Sequence, residues 1–466
     1  MPIHGLPANL PASYPPHFSL ESVVRPNILA LHPYRCARDD YSEGILLDAN
    51  ENALGHAIIA SDTSISKDLS QKNGDANSNS GSSSLETTMA DTLALPLHRY
   101  PSPSHEPIKS RIAELRALPS TDRVFLGVGS DEVLDLLIRV LVKPGTEGKN
   151  LEKVLITPPT YGMYSVCAQV NDVGIVKVPL RVTPPTDGLP FGEGGKTGRF
   201  SLDVDAVKQA ILHEQQELGN VIKMIFLCAP GNPTGTLLDL NSVKELLEWP
   251  EFKGIAVLDE AYIDFVGTEE EDEQAILPKS GASLVEKYAN VVVTQTLSKS
   301  FGLAGIRLGI ALSQPPLIQI LSNTKAPYNV SVPTAYLAEQ ALSPASLDKW
   351  RSHVRTLKRN RITLIKGLED LAGSKHLGVG EIIGSNDANF VLVRILQKPS
   401  PNSTEELRPS SSRANTVYKA LAEEMGVVVR FRGNELGCDG AIRITVGTEV
   451  ENQEVLKKLQ EALSRL

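Results

Sequence analysis

Between about residue 93 and residue 333 the chain repeats one pattern. A short apolar run gives way to a polar or glycine-rich break, then to a longer stretch with apolar residues three and four apart. The runs at 154–157, 175–179, 223–228, 255–259, 291–296 and 308–311 lack the in–out alternation of a half-exposed strand, as strands buried on both faces should. Over 131–142, Leu134, Leu137, Ile138 and Leu141 share one helical face, and Ser130 stands where an N-cap is expected. Strands alternating with amphipathic helices predict an α/β unit, a mostly parallel sheet held between helices. Past Pro333 the pattern changes. Helical periodicity over about 334–371 and 413–425, with short strands at 390–394, 427–431 and 441–446, predicts a smaller α+β unit.

The expected organisation follows from these shifts. Residues 1–20 form a flexible tail, 21–59 an N-terminal arm and part of the small domain, 93–333 the large domain and 334–466 the small C-terminal domain. Residues 60–92 are dominated by Ser, Asn, Asp, Gly and Thr. Such a segment cannot bury enough apolar surface to offset its ordering entropy, so it reads as a disordered insertion. A second Pro/Ser-rich loop spans 399–412.

Composition narrows the function classes. The hydrophobic fraction of 41% and charged fraction of 22% are those of a globular protein. A net charge of −9 without a long basic run argues against nucleic acid as partner. No apolar run approaches the roughly 18 residues of a membrane span. The four cysteines (Cys36, Cys167, Cys228, Cys438) are scattered, which argues for a reducing compartment and against a structural metal site. The first residues lack a signal- or transit-peptide layout, so the cytoplasm is the expected location.

The chemistry sits at the predicted strand ends. Thr296, Ser298 and Lys299 follow the run at 291–296, and Arg307 comes eight positions after the lysine. A strand-end Ser-Lys with a following arginine suits pyridoxal 5'-phosphate: the lysine amine can condense with the aldehyde, while hydroxyl and guanidinium groups hold the phosphate. Alone, the same residues describe a surface lysine. Ala229-Pro230-Gly231-Asn232-Pro233-Thr234-Gly235 turns the chain at another strand end, where open α/β sheets bind ligands. Asp259, with Tyr262 three residues on, ends the next strand. A buried carboxylate there can keep a pyridine nitrogen protonated, although an aspartate in that position is more often a helix cap. Gly127-Val128-Gly129-Ser130-Asp131 opens a helix whose N-terminal N–H groups favour a phosphate, and Tyr161 follows one more strand end as a stacking surface or a core tyrosine.

With these motifs in this order, the chain resembles the fold-type I pyridoxal-phosphate-dependent aminotransferases. Further stretches resemble the histidinol-phosphate aminotransferases among them: Leu31-His32-Pro33-Tyr34, Leu47-Asp48-Ala49-Asn50-Glu51-Asn52, Arg99-Tyr100-Pro101, Pro158-Pro159-Thr160-Tyr161-Gly162-Met163-Tyr164 and Ala441-Ile442-Arg443-Ile444-Thr445-Val446-Gly447. The resemblance runs from about Val23 to the C-terminus, with the 60–92 insertion outside it. It implies that Lys299 carries the cofactor and moves the proton, that Asp259 faces the pyridine nitrogen, and that Asn232 and Tyr262 bond the ring oxygen while Tyr161 stacks. It further implies that the backbone groups of Ser130 and Asp131, with Ser298 and Arg307, hold the cofactor phosphate, and that Thr296 also belongs to the cofactor site. Tyr100 would reach that phosphate from the neighbouring subunit, making the enzyme a homodimer. Tyr34, Asn232, Arg430 and Arg443 would bind the substrate.

The implied reaction is ping-pong exchange of an amino group between glutamate or 2-oxoglutarate and imidazole-acetol phosphate or L-histidinol phosphate. Both partners are anions, and a guanidinium fork accepts either carboxylate or phosphate. Two readings compete: an aromatic or broad-specificity amino-acid aminotransferase, and a lyase resembling threonine-phosphate decarboxylase. A non-catalytic binding protein is a third. Two arginines in one pocket favour a phosphate, with Arg432 a rival for the place of Arg430.

Overall fold

The computed structural model describes residues 44–46, 54, 95, 101–102, 104–182, 199–326, 328–398 and 407–466. The expected tail and the 60–92 insertion lie outside the described residues, as do Tyr34 and Tyr100. In chain order the strands are β1 Ile45–Leu46, β2 Val124–Val128, β3 Glu152–Ile156, β4 Gly174–Lys177, β5 Val221–Cys228, β6 Ile255–Asp259, β7 Val291–Thr296, β8 Leu308–Leu312, β9 Val379–Ile383, β10 Phe390–Ile395, β11 Val427–Val428, β12 Arg430–Phe431 and β13 Ala441–Thr445.

Seven strands make the main sheet, in the order β2-β8-β7-β6-β5-β3-β4. Both faces are buried, which explains the unbroken apolar runs. In β5, Ile225 and Leu227 join the core on one side, while Met224, Phe226 and Cys228 join the core on the other. Neighbouring β6 splits likewise, Leu258 to one side and Val257 to the other. Helices Gly129–Leu141, Met163–Val170 and Pro315–Thr324 cover the second face. Each fully buried Leu, Ile or Val contributes about 1.5–3 kcal/mol through burial, so the double-sided sheet is the main source of rigidity.

Strand direction assembles the functional edge. The pairs β3–β4, β3–β5, β5–β6 and β6–β7 are parallel, so their C-terminal ends line one rim. Strand β8 runs antiparallel to both β7 and β2. Its first residue therefore lies at the rim where the others end, and Arg307, just before Leu308, arrives there with them.

A second sheet, ordered β12-β13-β10-β9, is wholly antiparallel. Helices Pro344–Gly373 and Ser411–Glu423 pack on it, and helix Glu449–Arg465 packs on those two. The buried Arg361 of the longest helix ties the two regions together. Its guanidinium donates to Phe265 O (2.9 Å) and Gly267 O (3.0 Å) beyond β6, and to Ala388 O (2.8 Å) just before β10. No helix among the described residues is long and apolar enough to cross a membrane.

Several sequence expectations need correction. The helix expected over 334–371 is two, Val332–Ala341 and Pro344–Gly373. Pro344 has no N–H to continue the first, and Ser343 caps the second. The helix expected over 413–425 is Ser411–Glu423, because Ser410 caps it at Arg413 N (3.3 Å), which also ends the preceding loop early. The strand expected over 427–431 is divided: β11 pairs in parallel with β1, and β12 pairs with β13. Ser130 is not the N-cap of its helix, which starts at Gly129 after Val128. There Glu132 folds back to accept from Val128 N, taking the place of a capping hydroxyl.

Candidate active site

At the rim, β2 turns into the helix Gly129–Leu141 through Gly129, whose φ is +73°. A side chain is excluded there twice over. The conformation disfavours it, and a Cβ would collide with Arg307 Nη2. Gly129 N donates to Arg307 O at 2.9 Å. The N–H groups of Ser130 and Asp131 belong to the helix's first turn, where no intrahelical acceptor exists and the macrodipole is positive. Arg307 Nη2 lies 3.4 Å from Asp131 Oδ2, both side chains partly exposed to the cleft. On the adjoining strand end, Thr296 Oγ1 donates to Leu308 O at 3.0 Å and accepts from Ser298 N at 3.1 Å. Ser298 Oγ is 2.9 Å away. Glycine, arginine, two hydroxyls and a helix N-terminus thus converge on one spot, an arrangement chemically able to hold an anion.

One strand further in, Asp259 is 3% exposed, and its donors among the described residues are neutral. Tyr164 Oη donates to its Oδ2 at 2.7 Å and Thr294 Oγ1 to its Oδ1 at 3.1 Å. Burial pushes the Asp259 carboxyl up to about 6, held from rising further by those hydrogen bonds. Burial, and then the charge of Asp259, raise the Tyr164 phenol well above its ordinary range, so it stays a donor. Tyr164 stacks on Phe226 at 4.8 Å and meets Tyr161 edge-on at 5.6 Å. Tyr161 Oη in turn donates to Asp131 Oδ1 at 3.1 Å. Asp131, Tyr161, Tyr164 and Asp259 therefore form one contact chain from the phosphate end inward.

A second chain crosses the cleft to the small sheet. Lys299 Nζ lies 5.8 Å from the centre of the Tyr262 ring. That ring meets Phe390 edge-on at 5.3 Å, and the Arg443 guanidinium sits 5.1 Å above Phe390. Arg443 is 3% exposed. Its Nη1 donates to Asn232 Oδ1 at 2.5 Å, turning the amide N–H groups of Asn232 away from the arginine. Arg430 stands directly opposite Arg443 in the β12–β13 ladder. Cross-strand partners share a face, so both guanidinium groups leave the sheet on the same side.

The lysine is braced from behind. Ser300 Oγ donates to Asp264 Oδ2 at 2.6 Å, and Arg116 Nη2 lies 2.9 Å from Asp264 Oδ1, a charge contact without good hydrogen-bond alignment. Arg116 Nε donates to Gln295 Oε1 (2.7 Å), and Gln295 Nε2 to Glu260 Oε2 (2.9 Å). Burial drives the Glu260 carboxyl up to about 7.

The residues singled out from the sequence fall into two connected groups: Ser130, Asp131, Tyr161, Thr296, Ser298 and Arg307 at the rim, and Asn232, Tyr262, Lys299, Arg430 and Arg443 across the cleft. Asp259 joins the first through Tyr164. Tyr34 and Tyr100 are outside the described residues. The carbonyl of Asn232 is engaged by Arg443, a contact beyond the role expected of its N–H groups. Sequence reasoning missed Tyr164, Thr294 and Phe390. Only the even spacing of Thr294 from Thr296 on β7, which sends both to one face, could have flagged any of them.

The profile of the family described as aminotransferase class I and II matches residues 77–459. The chain is 40% identical to the histidinol-phosphate aminotransferase of Schizosaccharomyces pombe over 96% of its length and 98% of that protein. It is 39% identical to the same enzyme of Candida maltosa, over 96% and 99%. Its backbone is similar to the crystal structure of histidinol-phosphate aminotransferase from Sinorhizobium meliloti in complex with pyridoxal 5'-phosphate. The TM-score is 0.67 at 19% identity, over 95% of this chain and 98% of that one, a likeness of fold.

Proposed function

The chain belongs to the aminotransferase class I and II family, and from that premise we propose how its residues serve the histidinol-phosphate aminotransferase reaction. The reaction moves an amino group between glutamate or 2-oxoglutarate and the pair imidazole-acetol phosphate and L-histidinol phosphate, by ping-pong exchange. The fold is the fold-type I architecture of pyridoxal-phosphate enzymes, and the cofactor is pyridoxal 5'-phosphate.

The described residues fit that cofactor. Asp259 is a buried carboxylate whose donors among the described residues are neutral, which suits a cationic ring nitrogen. At the rim, a glycine-only turn abuts a helix N-terminus and an arginine, which suits a phosphate. In this reading the backbone N–H groups of Ser130 and Asp131, with Ser298 and Arg307, hold the phosphate, Thr296 positions Ser298 beside it, Tyr161 stacks on the ring, and Asn232 and Tyr262 bond its oxygen. Lys299 attaches the cofactor. When bound, the cofactor supplies an electron sink that makes the substrate's Cα–H acidic.

The chain's own residues do the rest. Lys299 Nζ would take the proton from the substrate carbon and deliver it to the cofactor's former aldehyde carbon, with the Tyr262 ring packed beside it. Asp259 keeps the ring nitrogen protonated, and the hydroxyl groups of Tyr164 and Thr294 fix its orientation. Arg443 and Arg430 clamp the far anion, phosphate for one substrate and carboxylate for the other, with Tyr34 lining the pocket. The observation that carries this reading is the pair of arginines directly opposite one another at the same cleft as Lys299. Two guanidinium groups leaving one face of a sheet suit a phosphate or a carboxylate.

We further read the active form as a homodimer in which Tyr100 reaches the neighbouring site. A cytoplasmic location accords with the three described cysteines, all buried thiols. The test is a half-reaction on the cofactor-loaded protein, following its visible absorption. L-histidinol phosphate should bleach the band quickly, and phenylalanine slowly or not at all. An equal or faster response to phenylalanine would favour the general amino-acid enzyme, and carbon dioxide released from threonine phosphate would favour the lyase. A Lys299→Ala protein that still turned over repeatedly at a comparable rate would sink the mechanism.

A further inference from the structure

The anion end of the cleft holds more charge than two arginines. The backbone bond from Arg432 N to Ala441 O (2.9 Å) carries the β12–β13 ladder one step past Arg430 and Phe431. Residues two apart on a strand share a face, so Arg432 leaves the sheet on the same side as Arg430 and Arg443. Glu435 answers that third arginine. Its Oε1 lies 2.9 Å from Arg432 Nη1, with the two side chains 25% and 22% exposed.

The carboxylate is held in place by the turn that bears it. Glu435 N donates to Arg432 O at 3.0 Å, Cys438 N to Glu435 O at 3.0 Å, and Ala441 N to Cys438 O at 2.8 Å. Arg394 Nη2 fastens the same turn at Gly437 O (2.9 Å). Glu435 lies within electrostatic reach of all three arginines. Burial raises its carboxyl, and Arg432, Arg443 and Arg430, in that order, pull against the rise.

We propose that Glu435 is a specificity-determining residue: by engaging Arg432 on the face shared with Arg443 and Arg430, it sets how strongly this sheet face holds a phosphate dianion relative to a carboxylate. The inference rests on the reading that Arg430 and Arg443 form the anion subsite. Its physical core is a ratio. A fixed negative charge repels a dianion twice as strongly as a monoanion at the same place. An enzyme of this kind must bind a phosphate and a side-chain carboxylate in turn at one end of one cleft. Three arginines on one face favour the phosphate and slow its release, and Glu435 trims that field toward balance.

The experiment uses the cofactor-loaded enzyme, so that the rim phosphate site is filled, at fixed ionic strength and pH 8. Calorimetry with inorganic phosphate gives a Kd free of turnover, and steady-state KM values for L-histidinol phosphate and glutamate give the balance. Glu435→Gln should lower the phosphate Kd at least fivefold and the KM for L-histidinol phosphate in parallel, and should lower the KM for glutamate by a clearly smaller factor. Glu435→Asp, which keeps the charge, should retain the wild-type ratio. A phosphate Kd unchanged within twofold in Glu435→Gln, or equal shifts for both substrates, overturns the proposal. Arg443→Gln separates the two levels of inference. If it weakens phosphate while Glu435→Gln does nothing, only the role of Glu435 fails. If it leaves phosphate binding unchanged, the anion subsite fails and the proposal with it.

Discussion

Replacing Asp259 by asparagine should stabilise the cofactor-free protein while disabling the enzyme. The carboxyl is buried at the end of β6 and pushed from 3.8 up to about 6. A carboxyl whose folded value exceeds its unfolded value binds more protons when folded. Its contribution therefore favours folding at low pH and is lost as pH rises from about 4 through 6. A rise of that size corresponds to about 3 kcal/mol of penalty above pH 7, with about half of it already present at pH 5. Asparagine carries no such penalty. Its carbonyl can accept from Tyr164 or Thr294, and the other hydroxyl can accept from its amide. For a chain of this length the unfolding entropy makes 1 kcal/mol worth roughly 1 °C in Tm.

Cofactor-free Asp259→Asn should thus melt about 3 °C above the wild type at pH 8 and about 1.5 °C above it at pH 5. Scanning calorimetry of both proteins at several pH values reads this directly. With the cofactor loaded, the order should reverse or close, because only the carboxylate meets a cationic ring nitrogen. A variant that melts at or below the wild type at pH 8, or a gap that does not widen with pH, would show that Asp259 carries no burial cost. The argument that the site waits for a positive partner would then fall.

Gly129→Ala drives a Cβ into Arg307 Nη2 at a φ of +73°. It should weaken cofactor binding at least tenfold, measured by fluorescence titration of the cofactor-free protein, and unchanged affinity would remove Gly129 from the phosphate site. Arg116→Met leaves Asp264 buried without its cation, and Gln295 Oε1 without its donor. A loss of about 3–5 kcal/mol is expected, a Tm drop of roughly 3–5 °C. A drop under 1 °C would show the ion pair to be dispensable.

How much of this was legible in the sequence depended on range. Strands β5 to β8 were readable because burial on both faces leaves unbroken apolar runs. Strand β2 escaped because Gly127 interrupts it and its end merges with the helix turn. The break at Ser343-Pro344 was present as a cap followed by a proline, yet apolar periodicity on either side masked it. Lys299, Asp259 and Arg307 could be found from local motifs at strand ends. The bond between Tyr164 and Asp259 could not, since the partners are 95 residues apart and meet only once β3 and β6 flank β5. The contest between Arg430 and Arg432 needed ladder register to recast: both face the same side, and Glu435 distinguishes them.

The consecutive acids Asp259 and Glu260 show why the site needs this sheet and not merely these residues. Successive side chains on a strand point to opposite faces. Asp259 shares its face with Cys228 and Val257 and meets Tyr164 and Thr294. Glu260 points the other way, into the hydroxyl of Ser280, the N–H of Gly281 and the amide of Gln295. Through Gln295 and Arg116 that second face reaches Asp264, which holds Ser300 beside Lys299. The same strand end thus aims one carboxylate into the cleft and, from behind, ties the loop after β6 to the loop after β7. A one-residue slip of β6 that put Glu260 at the cleft position would move Asp259 to the place of Leu258 on the opposite face, leaving the brace without its acid. Lys299 and Asp259 keep their relation because register, held by two buried faces, fixes both at once.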